Sequence, residues 1–329
     1  MKAFTHAAAR DAQDAVKLAQ QAHKSGRTAA FAGGGSDLLA LVKERIIQPD
    51  VLVSLRSAKG LDGVTANRDG LTIGGLVTLD ALSHHAEISG RHAVLAEAAA
   101  SVATPQIRNV GTLAGNVCQR PWCWYYRNGF PCYKAGGTQC FSISGENRFH
   151  AIFGGGPSYI VHPSDTAPAL VALGATFRIV GPAGERVVPA AEFFVLPRQN
   201  AVHENVLGDE DVLASVHIPA ARPGTRSTYH KELDREAWTH AVVSVAVVLE
   251  MDRETCRSAR VVLGGVAPIP WRLPAVEEML AGQRITDQLC ARAGETAVAG
   301  ARALSKNAYK IPLTRTIVRR TIAELAARA

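Results

Sequence analysis

Two glycine-rich loops constrain this chain more than any other feature of its sequence. The first, residues 32–37, follows the short apolar stretch 28–31 and leads into the apolar stretch 38–42. This order predicts a turn between a strand and a helix. Backbone N–H groups in such a turn can hold a diphosphate, because glycine places no side chain in the way. The pattern matches neither G-x-G-x-x-G nor a P-loop, so a turn that only reverses the chain is the alternative.

The second loop, residues 104–116, strengthens the interpretation of the first. It reads TPQIRNVGTLAGN, in which small residues allow a close approach of the backbone. Its polar side chains add hydrogen-bond donors at Arg108, Asn109, Thr112 and Asn116. We therefore expect the two loops to converge on two stretches of one polar cofactor.

The cysteine-rich segment, from residue 117 to about residue 158, shows neither a helical nor a strand period. It contains Cys118, Cys123, Cys132 and Cys140 among several aromatic side chains. A stretch of this length without regular structure is usually functional or disordered, and its cysteines and aromatics argue against disorder. The cysteines are predicted to bind metal, but their spacing does not match a zinc ribbon. On chemistry alone, an iron–sulfur cluster and a structural zinc ion remain equal alternatives.

Elsewhere the sequence predicts mixed α and β structure in at least two domains. A change in composition at Arg222-Pro223-Gly224 separates a C-terminal domain from the rest. Strands are predicted at 51–55, 71–74, 159–161, 175–180, 241–249 and 258–263. Helices are predicted at 11–23, 92–102, 274–280, 288–303 and 315–327.

Composition and charge indicate a globular protein without membrane or nucleic-acid partners. Hydrophobic residues make up 47% of the 329-residue chain, and no apolar run approaches the ~20 residues of a membrane helix. The densest basic group, Arg315, Arg319 and Arg320, has the spacing of a solvated or partner-facing helix. The N-terminus lacks the apolar core of a signal peptide, so we expect a cytoplasmic protein. Export to the periplasm with a signal-bearing partner is the alternative.

The two loops and two further motifs together resemble the FAD-binding subunit of molybdenum hydroxylases. This group includes carbon monoxide dehydrogenase, xanthine dehydrogenase, aldehyde oxidoreductase and 4-hydroxybenzoyl-CoA reductase. The further motifs are His162-Pro163-Ser164-Asp165 and the stretch 264–268 followed by Trp271-Arg272.

The resemblance implies an α+β fold with two domains. Residues 1–222 would form an FAD-binding domain of the vanillyl-alcohol-oxidase type, with subdomains 1–57 and 58–222 and the cysteine-rich segment as an insertion at about 117–158. Residues 223–329 would form the small α+β C-terminal domain of carbon monoxide dehydrogenase flavoproteins.

The resemblance also implies roles for individual residues. Residues 32–37 would wrap the FAD diphosphate, and Asp165 would anchor the adenosine half. Lys231 would lie near the flavin ring and stabilise its anionic reduced form; without the family context a surface lysine is an equal interpretation. A side chain at Gly34 would block the approach of the diphosphate. The cofactor-binding residues are Ala32, Gly33, Gly34, Gly35, Ser36, Asp37, Leu38, Thr104, Arg108, Asn109, Gly111, Thr112, Gly115, Asn116, Asp165, Leu207 and Lys231.

The cysteine-rich segment is similar to the loop that holds a four-iron, four-sulfur cluster in the aldehyde oxidoreductase and 4-hydroxybenzoyl-CoA reductase branches. Cys123, Cys132 and Cys140 match three ligands of that pattern, but Ser158 stands where the fourth cysteine is expected. A serine oxygen is a poorer ligand for iron than a thiolate. Three outcomes stay open: Cys118 substitutes as the fourth ligand, Ser158 binds, or the cluster is labile or reduced to three irons.

The function implied by the resemblance is electron transfer within a heterotrimer. Electrons would leave a molybdenum centre on a molybdopterin-binding large subunit, cross a small subunit with 2Fe-2S clusters, and reach FAD on this chain. An external acceptor would then take them. The substrate, an aldehyde or an aromatic or N-heterocyclic compound, would be oxidised on the large subunit, so this chain needs no catalytic acid or base. The alternatives are a stand-alone flavin oxidase or reductase of the same fold and a zinc-stabilised binding module.

Overall fold

A computed structural model describes residues 1–235 and 240–328 of the chain, and its strands form three sheets. The first sheet is a parallel layer with strand order β1-β3-β2. Its elements are β1 (Thr5–Ala8), α1 (Ala12–Lys24), β2 (Ala29–Ala32), α2 (Leu38–Lys43) and β3 (Val51–Ser54). Asp11 caps α1 by accepting a hydrogen bond from the backbone N–H of Asp14. The apolar face of α1 is buried, so the predicted helix and the strand after it both form.

The second sheet is antiparallel, with strand order β4-β5-β8-β6-β7. Its strands are β4 (Val64–Ala66), β5 (Gly70–Gly74), β6 (Thr176–Gly181), β7 (Gly184–Pro189) and β8 (Val212–Pro219). A long excursion of the chain separates β5 from β6 and contains both the second glycine loop and the cysteine-rich segment. Its helices are α3 (Leu79–His84), α4 (Ala86–Arg91), α5 (Ala93–Ala100), α6 (Pro105–Arg108), α7 (Leu113–Val117), α8 (Trp124–Arg127) and α9 (Thr166–Ala172), with a 3-10 turn at Tyr133–Ala135. The helix α10 (Ala190–Phe193) follows β7.

The third sheet begins immediately after the composition change at residue 222. Its order is β12-β11-β10-β9, and β13 pairs with β11. The strands are β9 (Thr225–Glu232), β10 (Val243–Asp252), β11 (Thr255–Gly264), β12 (Trp271–Arg272) and β13 (Gln283–Arg284), and the helices are α11 (Pro274–Leu280), α12 (Asp287–Ala297) and α13 (Lys310–Ala327). The strand β10 is buried along most of its length, which matches its apolar sequence, whereas β11 is polar and partly exposed in its first half and buried in its apolar second half.

One hydrophobic core joins the second and third sheets. Phe177 of β6 and Phe193 of α10 are fully buried, with ring centroids 4.8 Å apart. Tyr229 of β9 and Val262 of β11 belong to the same core. A second core fills the space between β10, β11 and the helices α11–α13. The third sheet therefore packs directly on the domain that carries the glycine loops.

Two predicted elements differ from the structure. No strand forms at residues 159–161, where Tyr159 accepts a hydrogen bond from Ala151 and the chain then pairs with Ala267 through His162. Backbone partners from two separate segments replace a strand ladder there. The predicted helix 288–303 ends at Ala297, because the chain turns back and Arg302 donates its backbone N–H to Ile152. Among the residues that the structure describes, no helix has the length and apolar composition needed to cross a membrane.

Candidate functional site

A cavity of about 470 Å³ lies between the two glycine loops. This volume is within the usual range for ligand pockets, about 300–1,000 Å³. Loop residues line it from the turn between β2 and α2 and from the turn between α6 and α7. The predicted residues in its wall are Gly33, Gly34, Gly35, Ser36, Asp37, Leu38, Gly111, Thr112, Gly115, Asn116, Asp165 and Leu207.

The two glycine loops touch each other through their backbones. A Cβ atom built on Gly34 would stand 1.7 Å from the carbonyl oxygen of Val110, and one on Gly33 would stand 2.9 Å from Oγ1 of Thr112. Both positions therefore need glycine because of the neighbouring loop. The missing side chain of Gly34 thus makes room for the second loop, and the expected approach of a diphosphate to Gly34 stays a prediction.

The polar side chains of the second loop fix the loop itself. Thr112 caps α7, since its Oγ1 accepts a hydrogen bond from the backbone N–H of Gly115 at 3.2 Å. The side-chain oxygen of Asn116 accepts hydrogen bonds from the hydroxyls of Ser164, at 2.7 Å, and Thr166, at 2.6 Å. Asn116 is buried and thereby joins the second loop to the His-Pro-Ser-Asp motif. These side-chain contacts therefore fix the shape of this part of the wall.

Asp37 connects the first glycine loop to the cysteine-rich segment. Its carboxylate accepts a hydrogen bond from the Arg127 guanidinium at 2.7 Å and from the backbone N–H of Arg120 at 3.1 Å. The Arg127 side chain is 9% exposed and also packs on the ring of Trp122, 4.5 Å from its centroid. The hydrogen bonds of the Asp37 carboxylate therefore all go to the cysteine-rich segment in this part of the site.

Asp165 and Lys231 form one buried ion pair. The Lys231 ammonium lies 2.7 Å from the Asp165 carboxylate, and both side chains are about 95% buried. Tyr229 donates its hydroxyl to the other carboxylate oxygen at 2.7 Å, and Lys231 also donates to the carbonyl of Ser101. The resemblance assigned these two residues to opposite ends of FAD. Two side chains in contact cannot mark both ends of an extended dinucleotide, so that pair of roles is wrong for at least one of them.

Five predicted cofactor residues lie outside the wall of this cavity. Ala32 is buried in β2, Thr104 precedes α6, and Asn109 is exposed. Arg108 and Lys231 instead line a second cavity of about 420 Å³. The two cavities share Ala103, whose backbone adopts a positive φ of 45°. Such a conformation is uncommon for alanine and often occurs at functional sites.

The cavity wall also contains residues that the sequence did not reveal. Trp122 and His240 pack with ring centroids 5.1 Å apart, and burial lowers the pKa of His240. Glu204 lies in the wall as a buried carboxylate between Lys134, at 2.7 Å, and Arg120, at 2.9 Å. These residues come from three distant segments and lie in no local motif. Only the tertiary fold brings them to the cavity.

The cysteine-rich segment brings three of its four cysteines together. Cys132 is buried in a small cluster that also contains Cys123, Leu41 and Tyr126. Cys132 pairs with Gln139 in an isolated bridge, which places Cys140 beside it. Burial raises the pKa of Cys123 to about 11, and the nearby Cys132 and Cys140 thiols contribute to that rise.

Cys118, the fourth predicted metal ligand, lies apart from this group. It follows α7, packs on the core that joins the second and third sheets, and lines the cavity between the glycine loops. Burial raises the pKa of its thiol to about 12. In residues 1–235 and 240–328, no three His, Cys, Asp or Glu side chains converge in the way that the ligands of a single metal ion do.

Comparison with known proteins identifies the family. The family model described as the FAD binding domain in molybdopterin dehydrogenase matches residues 2–221, and the CO dehydrogenase flavoprotein C-terminal domain matches residues 228–325. The chain belongs to the FAD-binding subunits of molybdopterin dehydrogenases. The aldehyde oxidoreductase FAD-binding subunit PaoB of Escherichia coli is 34% identical to it over the full length of both chains. The carbon monoxide dehydrogenase medium chain of Hydrogenophaga pseudoflava is 27% identical, over 90% of this chain and 86% of that one.

The fold agrees with solved members of the family. A chain of carbon monoxide dehydrogenase from Hydrogenophaga pseudoflava superposes with a TM-score of 0.78, at 25% identity, over 99% of this chain and 98% of that one. A chain of quinoline 2-oxidoreductase from Pseudomonas putida 86 has the same fold, with a TM-score of 0.76. This FAD-binding subunit is therefore an oxidoreductase subunit with an electron-transfer role, and the expected α+β fold is confirmed.

Proposed function

We propose that FAD lies in the cavity between the two glycine loops and that the chain passes electrons through it to an external acceptor. The single cavity lined by both loops carries this proposal. The backbone of residues 33–36 would hold the diphosphate, and Gly111, Thr112 and Gly115 would hold the adjoining part of the cofactor. Bound flavin supplies the ability to accept and release electrons, while the protein supplies orientation and local charge.

Among the residues that the structure describes, four of the five carboxylates that line this cavity are matched by cations, and Asp209 is the fifth. Asp37, Asp165 and Glu204 each pair with a buried or half-buried lysine or arginine, as described above. Asp211 pairs in the same way with Arg186, at 2.6 Å. Pairing removes most of the negative charge that would repel an anionic cofactor, which supports the placement of a diphosphate beside the paired carboxylates.

We propose that the chain works beside a molybdopterin-binding large subunit and a small subunit with 2Fe-2S clusters. Support comes from relatives of full or nearly full length that are named as FAD-binding subunits or medium chains. An aldehyde is the proposed substrate of the assembled enzyme, because the relative with 34% identity belongs to an aldehyde oxidoreductase. Folding of the chain in the cytoplasm and its division into residues 1–222 and 223–329 are parts of the same proposal.

We further propose that the cysteine-rich segment holds a four-iron, four-sulfur cluster through Cys123, Cys132 and Cys140. A zinc ion needs its sulfur ligands at about 2.3 Å from one point, whereas the cysteines of a cluster bind separate irons and stand farther apart. The proposal is supported by the grouping of the cysteines: Cys123 and Cys132 share one small cluster, and the bridge between Cys132 and Gln139 places Cys140 close by. Tyr125, Phe130 and Phe141 pack around them, with ring centroids 5.1–6.2 Å apart, and this shell limits access of water.

A visible spectrum with flavin and iron quantified on anaerobically purified protein tests both proposals. We expect one FAD per chain and iron in excess of what copurified partner subunits contain. The Cys132→Ala variant should lose the iron of this chain and keep most of its FAD. Cys290→Ala, which removes a buried cysteine from α12 in the C-terminal core, is the matched control and should keep both. Absence of flavin from the wild-type protein would reject the first proposal, and unchanged iron in Cys132→Ala would reject the second.

Turnover by the isolated chain would separate the proposal from its main alternative. A stand-alone flavin oxidase or reductase should oxidise a small organic substrate without partners. The proposed subunit should show flavin reduction by the assembled enzyme's substrate only when its partners are present.

A further inference from the structure

One part of the wall between the glycine loops carries exposed aromatic surface. Trp122 of the cysteine-rich segment lines the cavity, and 45% of this residue is exposed. His240 lines the same cavity, and its ring centroid lies 5.1 Å from that of Trp122, with the two rings tilted by 38°. A tryptophan ring gains more from burial than most side chains, because its apolar surface is large. Trp122 therefore offers an aromatic surface that a ligand in the cavity can cover.

Trp122 is held in position by Arg127. The Arg127 guanidinium lies over the indole, 4.5 Å from the ring centroid, and the Arg127 side chain is 9% exposed. Arg127 is itself fixed, since it donates to the Asp37 carboxylate at 2.7 Å and to the carbonyl oxygens of Pro121 and Arg120 at 2.9 Å each. A cation over one face of an indole is attracted to the ring and restrains it. The ring is therefore positioned before a ligand binds.

The same cavity has a second apolar region that is less exposed. Leu55, Leu61 and Val212 line the cavity, and all three belong to the buried core beside the first sheet. Phe31 lines the cavity as well and packs against that core. The cavity thus offers a buried apolar region and, around Trp122, an exposed aromatic region.

These two regions suit the two planar ring systems of FAD, which lie on either side of its diphosphate. Only the isoalloxazine ring exchanges electrons with other proteins or with an external acceptor. Electron transfer slows steeply with distance, so this ring must lie close to the surface of the subunit. The exposed region around Trp122 meets that condition, whereas the adenine ring can be enclosed by the core residues.

We propose that Trp122 contacts the isoalloxazine ring of FAD and holds it in the exposed part of the cavity. This inference rests on the flavin placement proposed above. Contacts between aromatic rings add to the affinity that burial of their area provides. Trp122 acts by contact and positioning, and no bond to it forms or breaks. The cysteine-rich segment would in this way supply part of the flavin site, whatever metal it binds.

Time-resolved flavin fluorescence of the full-length chain, purified with the partner subunits that accompany it, tests the contact. An indole in van der Waals contact donates an electron to the excited flavin, so we expect emission from the wild type to decay within picoseconds. Trp122→Phe should keep FAD bound and lengthen the decay towards nanoseconds, because phenylalanine packs in the same place without donating an electron. Trp122→Leu should lengthen the decay and also weaken FAD binding roughly two- to tenfold, as expected for the loss of an aromatic contact.

Trp124→Leu is the matched control. Trp124 is the next tryptophan of the same segment and is 60% exposed, but it packs on Tyr125 and Phe130, outside the cavity wall. Its replacement should change neither the decay nor the FAD content. Circular dichroism spectra of all the variants check that the chain is folded.

The outcomes separate this inference from the proposed function. A wild-type chain without flavin would reject both. Bound flavin with the same decay in the wild type and in Trp122→Phe would overturn the contact while leaving the flavin site in place. Weaker FAD binding in Trp122→Leu with an unchanged decay would overturn it too, because Trp122 would then contact the adenine ring. Equal changes in Trp124→Leu and Trp122→Leu would show a general loosening of the segment, which also overturns the assignment.

Discussion

The glycine loops and the cysteine-rich segment meet at one cavity wall, yet they are built from different interactions. The loops approach each other through bare backbone, and Gly34 has no room for a single additional carbon atom. The cysteine-rich segment is attached by side chains, through Asp37 with Arg127 and Glu204 with Lys134. A backbone contact of this kind does not tolerate an added side chain. A side-chain ion pair can instead be deleted by a single substitution, and its contribution to stability can be measured separately. Four substitutions separate these two kinds of construction.

Gly34→Val is expected to have the largest effect. The new Cβ would overlap the Val110 carbonyl oxygen, so the two loops must move apart and the cavity between them loses its shape. We expect FAD content to fall to near zero, together with a loss of several kcal/mol in the free energy of unfolding. Flavin release on denaturation and urea unfolding measure the two effects.

Gly90→Ala is the matched control for Gly34→Val. A Cβ on Gly90, in α4, meets no other atom within 4 Å, so flavin content and stability should be preserved. Full flavin content in Gly34→Val would show that the loops do not pack as described.

Lys231→Met tests the buried pair that Lys231 forms with Asp165 of the cavity wall, and it ranks second. It leaves the buried Asp165 carboxylate with the Tyr229 hydroxyl but without its cation. Removing one member of a buried pair typically costs about 3–5 kcal/mol. Adding Asp165→Asn to the same chain should recover part of that loss, because no uncompensated charge remains. Urea unfolding of both single variants and the double variant gives the coupling, and additive losses would argue against the pair.

Asp37→Asn is a smaller perturbation. It tests whether the first glycine loop and the cysteine-rich segment depend on each other for binding FAD and iron. The amide keeps the shape of the carboxylate but removes the charge that Arg127 and the Arg120 N–H share. We expect a loss of about 1–3 kcal/mol and weaker binding of both FAD and iron, because one side chain anchors the segment to the loop. Asp252→Asn, in an exposed pair with Arg257, is the control and should change neither. Loss of FAD alone would mean that the segment is anchored elsewhere.

The same contrast explains how much of the molecule could be predicted from its sequence. The glycine loops were located because a turn between a strand and a helix is a local pattern, and the two glycine-rich stretches are short enough to recognise. The Asp37–Arg127 pair spans 90 residues, and no local signal connects the two. Asp165 and Lys231 were assigned separately because they are 66 residues apart, and only the fold shows that they touch.

The contacts within the cysteine-rich segment were even harder to predict from the sequence, because they also depend on the tertiary fold. Spacing in the sequence predicts four candidate ligands, but it could not show that Cys118 packs against the main hydrophobic core, apart from the other three cysteines. The proximity of His150 to Cys123 likewise has no sequence signal, since it depends on a segment without helical or strand period. The strand expected at residues 159–161 failed for a related reason, because its apolar residues are buried by two neighbouring segments that do not form a ladder with it.

A pH-dependent effect is expected at the far end of the cysteine-rich segment. Lys310 of α13 is fully buried and donates to the carbonyls of Phe149, at 2.9 Å, and Gly265, at 2.7 Å. Burial lowers the pKa of Lys310 to about 7 from its ordinary value near 10.5. Below about pH 7 both the folded and the unfolded chain hold the proton, so burial of the charge carries its full cost. As pH rises from about 7 towards 10, only the unfolded chain keeps the proton, and the folded state becomes relatively more stable.

The measurement is the free energy of unfolding of the wild type and of Lys310→Met between pH 6 and pH 10. The difference between them should move in favour of the wild type as pH rises, by at most about 1.4 kcal/mol per pH unit. Lys306→Met is the control, because the Lys306 ammonium is half exposed in its pair with Glu146 and pays no comparable cost of burial. A difference for Lys310→Met that is as flat as the control would show that solvent reaches Lys310. The attachment of the segment at Phe149 would then be looser than its attachment at Asp37.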